Sequence, residues 1–286
     1  MLRAMYEEEM DEHRCIMIAA FGGWNDAGEA ATDVVRHLVE TYDAHEIGHI
    51  CCDGFYDYQV NRPMQCNVDG HRRIVWPETT FYQAEVSPSL TLVLSIGPEP
   101  NFHWCDYCQR MIAIAEDCDV DEVISLGAMF DECPHTRPLP VTVTTPSDDL
   151  CGEDSYTGPV GITTVLAVKA DELGFETTSA WVSIPQYLSS DSCPEGALRL
   201  LRAVEAKLDV NLKGDELEAK ARRWHASADM LMRCNDMLDD YVRRLEQSFD
   251  RNTDDGKGGF PMLSPDQARR VVEQAEAFLR KSHGDA

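Results

Sequence analysis

A glycine-rich turn between a strand pattern and a helix pattern constrains the fold of this chain most. Residues 15–20 form a continuous apolar run, and apolar residues recur at helical spacing from about Gly28 to Tyr42. Strand, tight turn and helix together open many α/β domains. The intervening glycines 22, 23 and 28 permit a left-handed backbone and close approach, which anion sites at helix N-termini use. The turn therefore predicts an α/β domain with a candidate ligand site.

The residues around the turn argue against two nucleotide-binding motifs. A P-loop requires Lys and Ser or Thr where this chain has Glu29 and Ala30. Gly22 and Gly23 are adjacent, whereas a dinucleotide fingerprint separates its first two glycines by one residue. Asp26 and Glu29 instead fit a capping box, in which Asp26 accepts backbone N–H groups and Glu29 reaches back to the cap.

Strand and helix patterns alternate along the first 210 residues. The predicted strands are 15–20, 46–51, a hairpin over 66–76 around Asp69-Gly70, 90–96, 122–126, 141–145 and 180–184. The predicted helices are 28–42, 101–118 with Asn101 as N-cap, 161–173 and 194–208. Such alternation predicts a mainly parallel sheet with helices on both faces, a three-layer α/β/α sandwich.

The pattern changes near Gly214, where strands cease and charged amphipathic helices begin. We predict an α/β/α core domain over residues 1–212 and a C-terminal helical extension over 213–286. One helix should run from Asp215 to about Phe249, with a break within it left open. A second should start at Ser264 as N-cap, with Pro265 in its first turn.

Charge and cysteine usage narrow the classes of partner. The net charge is −26, and residues 1–210 carry 12 basic and 36 acidic side chains. This field repels phosphate backbones and anionic membranes, so we expect no nucleic-acid or membrane binding. The acidic surface serves either solubility or a basic protein partner. Eleven scattered cysteines, and acids at residues 7–12 where a signal peptide would be basic, favour the cytoplasm.

Polar and aromatic residues follow several of the predicted strands. In parallel sheets ligands bind at the carboxyl ends of strands, so these loops form the candidate cleft. Its proposed ligand-binding residues are Gly23, Trp24, Asn25, Asp26, Glu99, Trp104, His135 and Arg137. Rims of this composition also occur on proteins that bind other proteins, so the sequence alone leaves both uses open.

The segment Pro134-His135-Thr136-Arg137-Pro138 has two interpretations. Flanking prolines hold the backbone, and Arg137 is suited to clamp a carboxylate or phosphate. Alternatively, Arg137 makes a structural ion pair in this acidic chain and His135 makes a backbone hydrogen bond.

No motif identifies a metal site or a catalytic group. Cys105 and Cys108 form a single C-x-x-C, whereas structural zinc usually requires two such pairs. We therefore expect ordinary buried thiols there and at Cys51-Cys52, and neither metal nor cofactor. The chain has no G-x-S-x-G elbow and no H-E-x-x-H motif, so its catalytic residues, if it has any, are not identified.

Three motifs in this order resemble the proteasome assembly chaperone 2 family, in particular its longer actinobacterial-type members. They are Gly22–Gly28, Gly97-Pro98-Glu99-Pro100 followed by Trp104, and Pro134–Pro138. The resemblance covers about residues 12–210, and the tail with Tyr241–Glu246 is similar to that subgroup's C-terminal extension.

The resemblance implies a core similar to purine nucleoside phosphorylases and relatives that help to assemble proteasome rings. Two functions follow as expectations. The first is a non-catalytic protein-binding or assembly factor. The alternative is a nucleoside- or nucleotide-like ligand-binding protein, or a hydrolase or phosphorylase that uses the cleft. By analogy we also expect a homo-oligomer, with a trimer favoured.

Overall fold

The computed structural model describes residues 13–52, 54–68, 70–146, 158–189 and 192–254. Its strands are β1 (Arg14–Gly22), β2 (His45–Ile50), β3 (Met64–Val68), β4 (His71–Val75), β5 (Thr79–Ser87), β6 (Leu90–Pro98), β7 (Glu122–Asp131), β8 (Val141–Thr144) and β9 (Glu176–Pro185). Its α-helices are α1 (Ala30–Thr41), α2 (Trp104–Asp117), α3 (Ile162–Glu172), α4 (Pro194–Leu208), α5 (Asp215–Arg233) and α6 (Asp236–Asp254).

Seven strands form one mixed sheet in the order β2-β5-β6-β1-β7-β9-β8. Strand β1 lies at the centre and pairs in parallel with β6 and with β7. Strands β2 and β5, and β5 and β6, pair antiparallel. The predicted α/β class with a large sheet, covering helices and C-terminal helices is confirmed. The sequence of β1 contains a continuous apolar run because seven of the nine residues of this strand are buried.

The described residues fall into two compact units. The first lies within residues 13–25, 32–127 and 143–180, and the second within 26–31, 128–142 and 181–254. The core of the first unit joins alternate residues of β1 to α2 and α3, with Phe21, Tyr107 and Leu166 among its members. A smaller cluster in the second unit contains Tyr187, Val242 and Leu245.

Two local features differ from the sequence predictions. Strand β5 was not predicted from the sequence, and it makes this side of the sheet antiparallel. The prediction of Asn101 as N-cap of α2 is wrong, because His103 occupies that position with a left-handed backbone. Asn101 Oδ1 instead accepts the backbone N–H of Asp57 at 2.8 Å, so this side chain stabilises a neighbouring loop.

The tail helix predicted from Asp215 to about Phe249 is present as two helices. Helix α5 ends at Arg233 and α6 begins at Asp236, so the break lies at Cys234-Asn235. The second unit holds α4 together with both tail helices. The helix predicted from Ser264 lies outside the described residues, and the boundary predicted at residue 212 stays a prediction.

None of the helices in the described ranges is both long and apolar enough to cross a membrane.

Candidate functional site

The glycine-rich turn has a strained backbone that only glycine accepts readily. Gly23 has φ of 114° and Gly28 has φ of 60°. A Cβ at Gly28 would lie 2.8 Å from Cys193 Cβ, and the Gly28 carbonyl accepts the Cys193 N–H at 2.7 Å. Gly28 is therefore required by both its conformation and its close contact with the residue before α4.

Asp26 caps α1 in a way that differs from the predicted box. A 3₁₀ turn over Ala27–Glu29 comes before the helix, so Asp26 Oδ1 accepts the N–H of Ala31, five residues on, at 2.7 Å. This amide belongs to the first turn of α1, where an anion would otherwise bind. The Asp26 carboxylate thus takes the place that a phosphate would need.

Glu99 connects three segments of the first unit. Its backbone N–H donates to the Gly22 carbonyl at 2.8 Å. Its Oε1 accepts both the Asn25 Nδ2 at 2.7 Å and the backbone N–H of Ile162 at 2.9 Å. Ile162 is the first residue of α3, so the carboxylate lies at a helix N-terminus, where negative charge is favourable.

The Asn25 side chain is fully buried beside this carboxylate. Its Oδ1 has no hydrogen-bond partner among the described atoms. A Cβ on Gly161 would lie 1.9 Å from that oxygen, so the backbone of Gly161 packs directly against the amide. Glycine is required at position 161 because the buried amide occupies the space of a side chain.

The two tryptophans of the candidate cleft have different environments. Trp104 Nε1 donates to the Pro100 carbonyl at 2.6 Å, so its polar group is used within the loop after β6. Trp24 is 67% exposed and presents a large apolar surface to solvent. Of the five cleft residues in the first unit, Asn25 and Glu99 contact each other. Gly23 lies close to Glu99, since a Cβ added to Gly23 would be 3.9 Å from Glu99 Cβ.

In the second unit, His135 is buried in a chain of hydrogen bonds. The Tyr187 hydroxyl accepts the His135 backbone N–H at 2.7 Å and lies 2.7 Å from His135 Nδ1. His135 Nε2 lies 3.2 Å from Asp229 Oδ1 of α5, and because a carboxylate only accepts, Nε2 carries the ring proton and donates. In the neutral ring Nδ1 is then an acceptor, so the Tyr187 O–H donates to it.

Burial lowers the pKa of His135, and the hydrogen bond with Asp229 acts in the opposite direction. Desolvation disfavours the imidazolium, so the neutral tautomer fits the hydrogen-bond pattern. Every polar atom of the His135 ring is thereby used within the second unit. The ring is 1% exposed.

Arg137 binds α6 through its guanidinium. Its Nε and Nη2 donate to the two oxygens of Asp250, each at 2.9 Å, and its Nη1 donates to Glu246 at 3.2 Å. Thr136 Oγ1 donates to the same Glu246 carboxylate at 2.5 Å. The bond to Arg137 lowers the pKa of Asp250. The structural ion pair considered for Arg137 is therefore present.

The eight proposed cleft residues divide between the units. Gly23, Trp24, Asn25, Glu99 and Trp104 belong to the first, whereas Asp26, His135 and Arg137 belong to the second. The sequence reasoning missed the acids of the tail that bind His135 and Arg137: Asp229, Glu246 and Asp250. Glu246 and Asp250 are four residues apart, which places them on one helical face, and this spacing was the available signal.

The cysteines follow the prediction in part. Burial raises the pKa of Cys108 to about 12, as expected for an inert thiol. Cys105 and Cys51 are exposed and Cys52 is half-buried, so the prediction that all four are buried is wrong. No cluster of three or more potential metal ligands occurs within the part of the chain that the structure describes.

Comparison with known proteins gives a family and a set of similar structures. A model of the PAC2 family matches residues 20–232. The structure is similar to a PAC2 family protein from Streptomyces avermitilis at 36% identity and a TM-score of 0.74, covering 80% of this chain and 99% of that one. No curated protein matches the chain.

Two further structures are similar. One is a proteasome-assembly chaperone homologue from Mycobacterium tuberculosis, 36% identical with a TM-score of 0.71, covering 79% of this chain and 99% of that chain. The other is an archaeal proteasome activator from Pyrococcus furiosus, with 15% identity and a TM-score of 0.61 over 77% of this chain and 94% of that one. At this low identity the archaeal protein shares the fold alone.

Proposed function

Because the chain belongs to the PAC2 family, we propose that it is a non-catalytic factor that binds other proteins and assists the assembly of a proteasome-type ring. The membership confirms the family predicted from the three sequence motifs. The observation that carries the proposal is the 36% identity to a proteasome-assembly chaperone homologue that is covered over 99% of its length.

The internal bonding of the strand-end residues supports a scaffold role. Glu99 binds an amide side chain and a helix N-terminus. Arg137 binds two carboxylates of α6, and His135 is held between Tyr187 and Asp229. An acid–base catalyst or anion clamp needs such groups directed at a substrate. In this chain they fasten loops to helices within each unit.

The tail helices offer a surface for a protein partner. Met230 of α5 is 69% exposed and Met237 of α6 is 74% exposed, on either side of the break between the helices. Exposed methionines suit protein recognition because their side chains are flexible and polarisable. We place the contact with the assembling partner at these two residues.

The test is reconstitution from separately purified proteasome subunits, followed by native electrophoresis. We expect the chain to form a discrete complex with a subunit or to accelerate ring formation, and Met230→Ser with Met237→Ser to weaken this effect. The control pair is Val168→Ser with Leu173→Ser, which changes one exposed apolar residue within α3 and one directly after it. Absence of both binding and acceleration at about 50 μM subunit, where even weak complexes form, contradicts the proposal.

Deleting the whole tail would not be a clean test. Leu217, Ala221 and Ala228 of α5 are buried, and Asp229 holds His135. Removing residues 214–286 would expose the residues that pack against these side chains and leave His135 without Asp229. The second unit would therefore be destabilised. Surface substitutions on α5 and α6 separate binding from folding.

The alternative function, binding of a nucleoside- or nucleotide-like ligand, has its own test. A ligand that binds the native state raises the melting temperature by mass action. We expect nucleosides, nucleotides and phosphate to leave it unchanged, since the Asp26 carboxylate already occupies the N-terminus of α1. A ligand-induced rise in the melting temperature that Glu99→Gln abolishes would favour the alternative function.

A further inference from the structure

The β3–β4 hairpin is exposed throughout. All five residues of each strand are exposed, and the two strands form a sheet of their own. A lone two-stranded hairpin is marginally stable in water and normally needs a covered face. The hairpin is therefore built as an arm that gains stability when something packs on it.

One face of this arm is apolar at its base and carries the cation Arg73 in its middle, with apolar Val68 near the tip. Directly paired residues share a face, and the pairs on this face are Met64 with Val75, Cys66 with Arg73 and Val68 with His71. Exposure reaches 64% for Met64, 43% for Val68 and 50% for Val75. Such a surface fits a protein that is apolar at one point and acidic beside it.

Two aromatic rings extend the apolar base. Trp76 follows β4 directly, and its ring lies 5.0 Å from that of Tyr58. Both rings remain partly exposed, Trp76 by 47% and Tyr58 by 38%. Aromatic residues of this kind are enriched where protein surfaces meet.

The charge of the arm is opposite to that of the chain that carries it. Residues 58–76 contain Arg62, Arg72 and Arg73 but only one acid, Asp69, whereas residues 1–210 together contain 12 basic and 36 acidic side chains. Complementary potentials direct association and exclude wrong orientations. A second copy of the same chain supplies an acidic surface at equal concentration.

We propose that the β3–β4 arm docks on an acidic surface of a second copy and is the contact through which this chain self-associates. The arm of each copy is cationic and the remaining surface anionic, so the contact can be repeated around a closed ring or exchanged across a two-fold axis. This inference does not rest on the proposed function, and its test uses the purified chain alone.

The test is sedimentation equilibrium of the full chain and of two matched double variants. Arg72→Glu with Arg73→Glu reverses adjacent charges on the arm. Arg222→Glu with Arg223→Glu reverses an adjacent, exposed pair on α5. We expect the arm variant to raise the self-association Kd at least about tenfold and the α5 variant to change it by less than about twofold. Raising NaCl from about 0.05 M to about 0.5 M should weaken the wild-type assembly by screening.

A photo-crosslinking residue at Val68 provides an independent readout. A mixture of heavy- and light-isotope chains should give cross-linked peptides with one heavy and one light member, joined to an acidic segment. Unchanged circular dichroism of both double variants shows that folding is intact. The proposal would be overturned if the wild-type chain were a monomer at about 100 μM, if the two double variants changed the self-association Kd equally, or if all cross-links were intramolecular. The arm would then be expected to bind a different partner.

Discussion

Removing the Glu99 carboxylate should destabilise the first unit more than any other single change at the strand ends. Glu99→Ala deletes the acceptor of two hydrogen bonds, from Asn25 Nδ2 at 2.7 Å and from the Ile162 N–H at 2.9 Å. Asn25 is fully buried and its Oδ1 already has no partner. The variant therefore leaves a buried amide with neither end paired.

The magnitude follows from the two bonds. A hydrogen bond to a charged group contributes about 1.5–3 kcal/mol, so the loss of both bonds should cost about 3–6 kcal/mol of unfolding free energy. Glu99→Gln keeps an oxygen in the same place and loses mainly the charge at the N-terminus of α3. The two bonds then become neutral ones, which contribute about 0.5–1.5 kcal/mol each, so we expect Gln to cost about 2–3 kcal/mol, less than Ala.

Urea unfolding of the two variants, followed by tryptophan fluorescence, compares these costs. A double-mutant cycle with Asn25→Ala isolates the Asn25–Glu99 bond, for which we expect a coupling of about 1–2 kcal/mol. Equal losses for Glu99→Ala and Glu99→Gln would refute the reasoning, because the acceptor oxygen would then be unimportant. A loss below about 1 kcal/mol for Glu99→Ala would refute it as well.

Three further predictions concern the second unit and the thiols. Tyr187→Phe removes the oxygen that accepts the His135 N–H and leaves a buried donor unpaired, so urea unfolding should show a loss of about 1–3 kcal/mol. Burial lowers the pKa of His135, so below about pH 6.5 the unfolded state binds more protons than the folded state does. The stability present above that pH is therefore lost as the pH falls from there towards the lowered pKa of the folded state. His135→Gln should flatten this part of the pH profile, and an unchanged slope would contradict the assignment. A thiol reagent at pH 8 should label exposed Cys105 quickly and buried Cys108, whose pKa is about 12, only on unfolding; equal rates would argue against this burial.

Local patterns were sufficient to predict most elements. The run from Cys15 to Phe21 is apolar throughout because β1 is buried on both faces at the centre of the sheet. Pro194 starts α4 and Gly174, with φ of 90°, follows α3, as their positions indicated. These signals depend on neighbours in sequence and so can be read without the fold.

Signals that depend on distant partners were misread or missed. Asn101 is a good N-cap residue, yet its side chain accepts the Asp57 N–H across 44 positions. Strand β5 has an alternation too weak to identify, and its pairing with β2 and β6 defines it as a strand. The requirement for glycine at 161 arises entirely from the Asn25 amide that packs against it.

The α/β class, the family and the helical character of the tail follow from the sequence, because periodicity, turn residues and motif order are local properties of the chain. What the motif residues do depends on the folded contacts. The fold directs Glu99 to Asn25 and Ile162, and Arg137 to Glu246 and Asp250, from segments more than sixty residues away in the chain. A carboxylate or guanidinium looks the same in the sequence whether it binds a ligand or holds parts of the fold together. The partner that folding brings within hydrogen-bonding distance distinguishes the two roles.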